Sequence, residues 1–200
     1  QNCKVHNIGS CTLVGRYGNG ICAGSIMNSI SVNNVTVIAC QVYDCSMVGY
    51  NWEPGHDNIV QYCTYHESDG HLPYWTRQGT NGVEQVYSRA VTTFDNSTIA
   101  STNNKYLNCE FKKKGIVVAN YARSTTFENC TFTMTANSGE GYIVAVSFQG
   151  NTGYSSNCVI KNCTVNFKAT SSGGKGIAFV STQNCSALNN IVNNTGVAGK

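Results

Sequence analysis

Charge is scarce in this chain of 200 residues: Asp, Glu, Lys and Arg together make up 12%, and the net charge of +3 is spread over 13 basic and 10 acidic side chains. The tightest basic run, Lys112 to Lys114, is three residues long, so no nucleic-acid footprint is drawn. Long apolar runs are missing too. No stretch approaches the ~18 residues of a membrane span, and the opening "QNCKVHNIGSC" has neither the basic start nor the apolar stretch of a secretory leader, so neither leader nor anchor is expected. Proline occurs only twice, and helix-favouring composition gives way to Asn, Ser, Thr, Val and 20 glycines. Asn, Ser and Gly disfavour helices while Val and Thr suit pleated surfaces, which predicts an all-β chain.

Cysteine is the one excess, with eleven copies. An odd number cannot all pair, and a chain this long does not need a disulfide framework to fold. Metal chemistry is excluded by spacing: no Cys-x-x-Cys occurs, and the pairs Cys40/Cys45 and Cys158/Cys163 lack histidine partners. No cofactor is implied. Position in a repeat explains the cysteines instead. "FENCTF" at 127–132 returns as "YLNCEF" at 106–111, "IKNCTV" at 160–165, "VIACQV" at 37–42 and "IGSCTL" at 8–13. Aligned on that cysteine, the members are Cys11, Cys40, Cys63, Ala90 as a weak copy, Cys109, Cys130, Cys163 and Asn190, a loose period near 25 residues.

Each frame carries large apolar residues three before and two after the cysteine, such as Phe127 and Phe132 around Cys130. Residues an odd number apart face opposite sides of an uninterrupted strand, so one residue between must leave the β region. Position −1 is Asn108, Asn129, Asn162 and Asn189 in four copies, and asparagine tolerates left-handed backbone. A corner there brings the cysteine into the core. A second polar column lies six before the cysteine: Asn34, Asp57, Asn103, Ser124, Asn157, Asn184. Apolar strands follow, often glycine-led, as in "GIVVAN" at 115–120 and "GIAFVS" at 176–181. Such units bury their apolar sides only by stacking, which lines up like residues at the ~4.8 Å strand spacing.

The asparagine corner, the stacked core column and the glycine-led strand resemble the right-handed parallel β-helix of the pectin-lyase-like superfamily over nearly the whole chain. The expected fold is one β-helical (solenoid) domain over 1–200, of about eight coils, roughly 40 Å long at that strand spacing. It reads as a segment of something longer, because neither end supplies a coil cap, and its cysteines read as small buried apolar groups with free thiols.

The repeat is disrupted between 50 and 77, "YNWEPGHDNIVQYCTYHESDGHLPYWTR", which gathers both Trp, both Pro, three of the four His and four of the ten acids. Loops on a rigid scaffold are where function concentrates. The resemblance implies sugar chains held by aromatic faces, here Tyr50, Trp52, His66, Tyr74 and Trp75. A hydrolase needs two carboxyl groups flanking the scissile bond, for which Glu53, Glu67 and Asp69 are candidates. A lyase needs a base and a cation, for which His66, His71 and Arg77 are candidates. Asp57 falls in the polar column and reads as a ladder residue. The family's enzyme signatures are absent: no Asn-Thr-Asp, Gly-His-Gly or Arg-Ile-Lys triplet occurs, and no Trp-x-Asp-His or Arg-x-Pro-x-x-Arg pattern.

The later glycine-led strands look apolar on both faces, with Val118, Val146 and Ala178 expected inward and Val117, Ala145 and Ile177 outward. A strand covered on both faces suggests a partner chain, and side-by-side trimers are what viral tail spikes of this fold resemble. The first expectation is therefore a tail-spike or receptor-binding segment that engages surface polysaccharide, in a virion or outside the cell. A secreted polysaccharide lyase or glycoside hydrolase, and a non-catalytic rod or adhesin, are the alternatives.

Overall fold

Three parallel sheets, each built from one strand per repeat, account for most of the computed structural model, which describes residues 1–6, 19–23, 32–45, 48–52, 55–66, 76–78, 84–86, 89–93, 101–113, 117–120, 123–134, 144–149, 155–167 and 175–194. Sheet I stacks Thr36–Ile38, Ile59–Gln61, Lys105–Leu107, Thr126–Glu128, Val159–Lys161 and Ser186–Leu188. Sheet II, with seven strands, stacks Lys4–His6, Gln41–Tyr43, Thr64–His66, Glu110–Lys113, Thr131–Met134, Thr164–Phe167 and Ile191–Asn194. Sheet III stacks Asn19–Ala23, Val48–Trp52, Arg89–Thr93, Val117–Asn120, Val144–Gln149 and Lys175–Val180. No helix among the described residues is long and apolar enough to cross a membrane. The arrangement is all-β and compatible with a solenoid.

Register is strict because equivalent positions are equivalent side chains. Tyr106 pairs with Val60 on one side and Phe127 on the other, and Phe111 with Tyr65 and Phe132. The resulting columns Val37, Val60, Tyr106, Phe127, Ile160 and Val42, Tyr65, Phe111, Phe132, Val165 are buried. Between sheets I and II the chain turns on a single left-handed residue: Asn108, Asn129, Asn162 and Asn189 all have φ of 52–53°. The corner is obligatory enough that Ala39 and Tyr62 adopt it as well, at φ 52° and 54°. The second polar column behaves alike, with Asn34, Asp57, Asn103, Ser124, Asn157 and Asn184 at φ 52–60°. Asparagine leads both columns because its short amide lowers the cost of that conformation.

The cysteine that follows each corner is buried in Cys40, Cys63, Cys109, Cys130 and Cys163, and these five are unbridged, as are Cys3, Cys45, Cys158 and Cys185. Each thiol donates toward the carbonyl two residues back, from Cys40 to Ile38 O at 3.3 Å, Cys63 to Gln61 O at 3.2 Å, Cys109 to Leu107 O at 3.3 Å and Cys163 to Lys161 O at 3.2 Å. The column is closed by Asn190, whose Oδ1 accepts from Cys163 N at 2.9 Å while its Nδ2 donates to Ile160 O at 2.9 Å. Burial pushes the Cys63 thiol up to about 11 and Cys158 up to about 12, and it raises Cys130 well above the ordinary value; the hydrogen bond shared with Cys130 lowers Cys109 and Cys163 in return.

These raised thiols set an alkaline limit. A group that folding holds protonated contributes stability that is complete below its unfolded value of 9.0 and is lost as pH climbs through the folded one. Thermal melts under reductant are expected to be flat near neutrality and to fall progressively from pH 9.0 toward about 12. A melting temperature unchanged across that window would remove the thiols from the core.

Two details of the expected repeat are corrected. The first repeat is anchored at Cys3 rather than Cys11: Lys4 pairs with Gln41, and Gln41 N donates to Cys3 O at 2.8 Å. Ala90 lies in sheet III, where Arg89–Thr93 pairs with Val48–Trp52, and not in the cysteine column. Sheet II accordingly counts seven described repeats where eight were expected. The averaged period hid this, since the Cys63 to Cys109 step holds an inserted segment in which Thr76–Gln78 pairs antiparallel with Glu84–Val86.

Sheet III also differs from the expected column membership. Tyr50, whose side chain is fully buried, shares its register column with Ile21, Val91, Val117, Val146 and Ile177. The alternate column runs Cys22, Asn51, Thr92, Val118, Ser147, Ala178 and is mixed in polarity. Val118 and Val146 therefore belong to different columns, while Ala178, expected inward, is buried.

Candidate functional site

The outward positions of sheet II alternate with its buried columns, and they carry the chemistry. Pairs on successive strands are Gln41 and Tyr43, Thr64 and His66, Glu110 and Lys112, Thr131 and Thr133, Thr164 and Asn166. All are exposed or half-buried, as strand alternation requires. A depression of about 230 Å³ opens there, lined by Thr64, Tyr65, His66, Glu110 and Lys112. His66 stands at the last described position before the inserted segment. Its ring stacks on Tyr43 of the preceding strand, with centroids 5.7 Å apart and planes 29° apart. On its other side it sits in register with Lys112. Below the depression the floor is aromatic, formed by Tyr65 and its column neighbour Phe111, both fully buried.

Of the residues predicted from sequence, His66 is the one found in this depression. Tyr50 and Trp52 are corrected outright: both are 0% exposed. The Tyr50 hydroxyl donates to Thr64 O at 2.9 Å and Cys40 O at 3.3 Å, and burial holds it protonated far above the ordinary phenol value. Trp52 fills the interior with its Nε1 unpaired among the described residues. These rings support the sheet from inside and offer no face to a ligand. Arg77 lies on the antiparallel pair, its backbone opposite Gln85. Glu53, Glu67, Asp69, His71, Tyr74 and Trp75 lie outside the described residues.

Asp57 is a corner residue, as its column implies. Its carboxylate accepts from Asn103 Nδ2 at 2.5 Å and meets His56 Nδ1 at 2.8 Å, and these bonds, Asn103 first, hold it below the ordinary carboxylate value. Sequence reasoning missed Tyr43, Glu110 and Lys112. Their signal was present: they stand one or three places after the column cysteine, at positions that must point outward once the corner is fixed. No group of three His, Cys, Asp or Glu side chains among the described residues is placed to hold a metal ion. Compared with known proteins, the chain matches no family model, no curated protein and no solved structure.

Proposed function

We propose that this chain is a right-handed parallel β-helix from a viral tail-spike or receptor-binding protein, and that it binds cell-surface polysaccharide on the flank of its seven-stranded sheet. The observation that carries the reading is the depression at Thr64, His66, Glu110 and Lys112, beside the inserted segment. It sets the His66 ring, stacked on Tyr43, beside hydroxyl, carboxylate and ammonium groups over a buried aromatic floor. Sugars are recognised by that combination of aromatic faces and a few fixed polar groups. The register of the three parallel sheets supports the helical reading, since every strand of a sheet lies between its counterparts in the preceding and following repeats.

Binding is favoured over cleavage because Glu110 is the single carboxylate lining the depression among the described residues, while glycoside hydrolysis needs two flanking the scissile bond. The test is retention of the protein on immobilised bacterial capsule and plant cell-wall polysaccharides, with oligosaccharide release followed in the same tubes. Retention without release is expected, and Tyr43→Ala and His66→Ala should each weaken it several-fold. Retention on none of the polymers sinks the binding reading. Oligosaccharide release that disappears in Glu53→Gln, Glu67→Gln or Asp69→Asn would instead establish an enzyme acting through the inserted segment.

A further inference from the structure

The row Tyr43, His66, Lys112 crosses three successive strands of sheet II on one outward column. His66 and Lys112 are directly opposed, so an imidazole ring stands beside an ammonium group at the ~4.8 Å spacing of neighbouring strands. Neither side chain makes an ion pair among the described residues, and both are exposed. Two charges elsewhere are compensated locally: Lys161 Nζ lies 3.1 Å from Glu128 in the adjacent strand of sheet I, and Asp57 is held by His56 and Asn103. Lys112 thus presents an ammonium without an ion-pair partner among the described residues at the edge of the depression.

We infer that the polysaccharide bound there is anionic, running along the stacking direction with a sugar face on the Tyr43 and His66 rings and its acidic group between His66 and Lys112. This deepens the polysaccharide-binding reading and rests on it. Glu110 lies on the same strand as Lys112 but in the other outward column, which also carries Gln41, Thr64 and Thr131. That column accepts and donates hydroxyl hydrogen bonds and repels a second acidic group, so anion recognition is confined to one side of the depression. The class is a polymer bearing one carboxylate or sulfate beside several free hydroxyls. A neutral glycan would leave the Lys112 ammonium without a counter-charge.

Affinity electrophoresis of the whole chain through gels containing alginate, heparin or dextran tests this, with carboxylate, sulfate and neutral polymers in separate gels. Alginate, heparin or both are expected to retard the protein more than dextran does, and retardation should fall as salt rises, because exposed charges are screened. Lys112→Ala should weaken it about fivefold, the scale of one exposed ion pair. Lys112→Glu should abolish it, and Glu110→Gln should strengthen it. Both side chains point to solvent, so unchanged melting temperatures identify these as binding effects. Equal retardation by dextran and the two acidic polymers, or a Lys112→Glu variant that migrates as the parent does, overturns the anion assignment while leaving polysaccharide binding intact. Retardation by no polymer removes both.

Discussion

Replacing Phe127 with alanine is expected to lower unfolding free energy by about 3–5 kcal/mol, the range for deleting a fully buried phenylalanine. Phe127 is 0% exposed and stands at the centre of the ring columns. It stacks on Tyr106 with centroids 4.7 Å apart and meets Phe132 and Phe111 edge-on at 5.7 and 6.4 Å. Aromatic pairs of this geometry add to the area buried, so the cavity would be lined on three sides by rings that have lost a partner. Those rings are fixed by strand register above and below, which leaves little room for collapse. Phe127→Leu should cost much less, since it keeps most of the volume. Urea titration of both variants measures the difference. Similar midpoints for Phe127→Ala and the parent would mean that the columns are not packed in the order described.

The second large effect is expected at a buried amide. Asn58 is 0% exposed, and its side chain bonds in three directions: Oδ1 accepts from Val35 N at 2.9 Å, while Nδ2 donates to Val32 O at 3.0 Å and to Asn104 Oδ1 at 3.1 Å. Asn104 continues the chain of bonds, donating from its own Nδ2 to Gly55 O at 2.8 Å. The site has no spare room, because a β-carbon on Gly55 would lie 2.7 Å from Asn58 Nδ2. Asn58→Ala would strand Val35 N–H and Val32 C=O and leave Asn104 Oδ1 with the Asn58 backbone N–H alone, at 3.2 Å. At about 1–3 kcal/mol for each buried group left unpaired, partly relieved by water, a loss of about 2–4 kcal/mol is expected. Asn58→Leu should do no better despite its matched size, since the stranded groups are the same. Hydrogen exchange at the Val35 amide supplies a local check: protection should drop there before it drops at Phe111.

How much of this was legible in the chain depended on whether a residue type answers one physical demand or several. The corners were legible, because few residues other than glycine sit comfortably at φ near 53°, and Asn108, Asn129, Asn162 and Asn189 marked the place. Column membership of Phe127, Phe132, Tyr106 and Phe111 followed from the corner. Cys3 was overlooked because too few residues precede it to display the frame, and Ala90 was misplaced because spacing alone cannot distinguish sheet I from sheet III. Tyr50 and Trp52 drew attention as rare aromatics next to polar residues. Aromatic rarity is equally what a wide interior demands, and only the register of Val48–Trp52 between Asn19–Ala23 and Arg89–Thr93 settles which demand they meet. Lys112 and Glu110 were hidden in plain view as ordinary outward strand residues. A charged side chain in a strand carries meaning only when its lateral neighbour is known, and that neighbour, His66, is 46 residues away in sequence.

The inserted segment has a consequence for how this surface can diversify. Cys40 and Cys63 are 23 residues apart, whereas Asn58 and Asn104, also one repeat apart, are separated by 46. Doubling a closed loop adds only about 0.6 kcal/mol of closure entropy. The excursion can thus lengthen, shorten or be exchanged wholesale at small thermodynamic cost, while the rungs on either side keep their stacking. A lineage under pressure to meet new surfaces has here a place to improvise without rebuilding the frame that holds it.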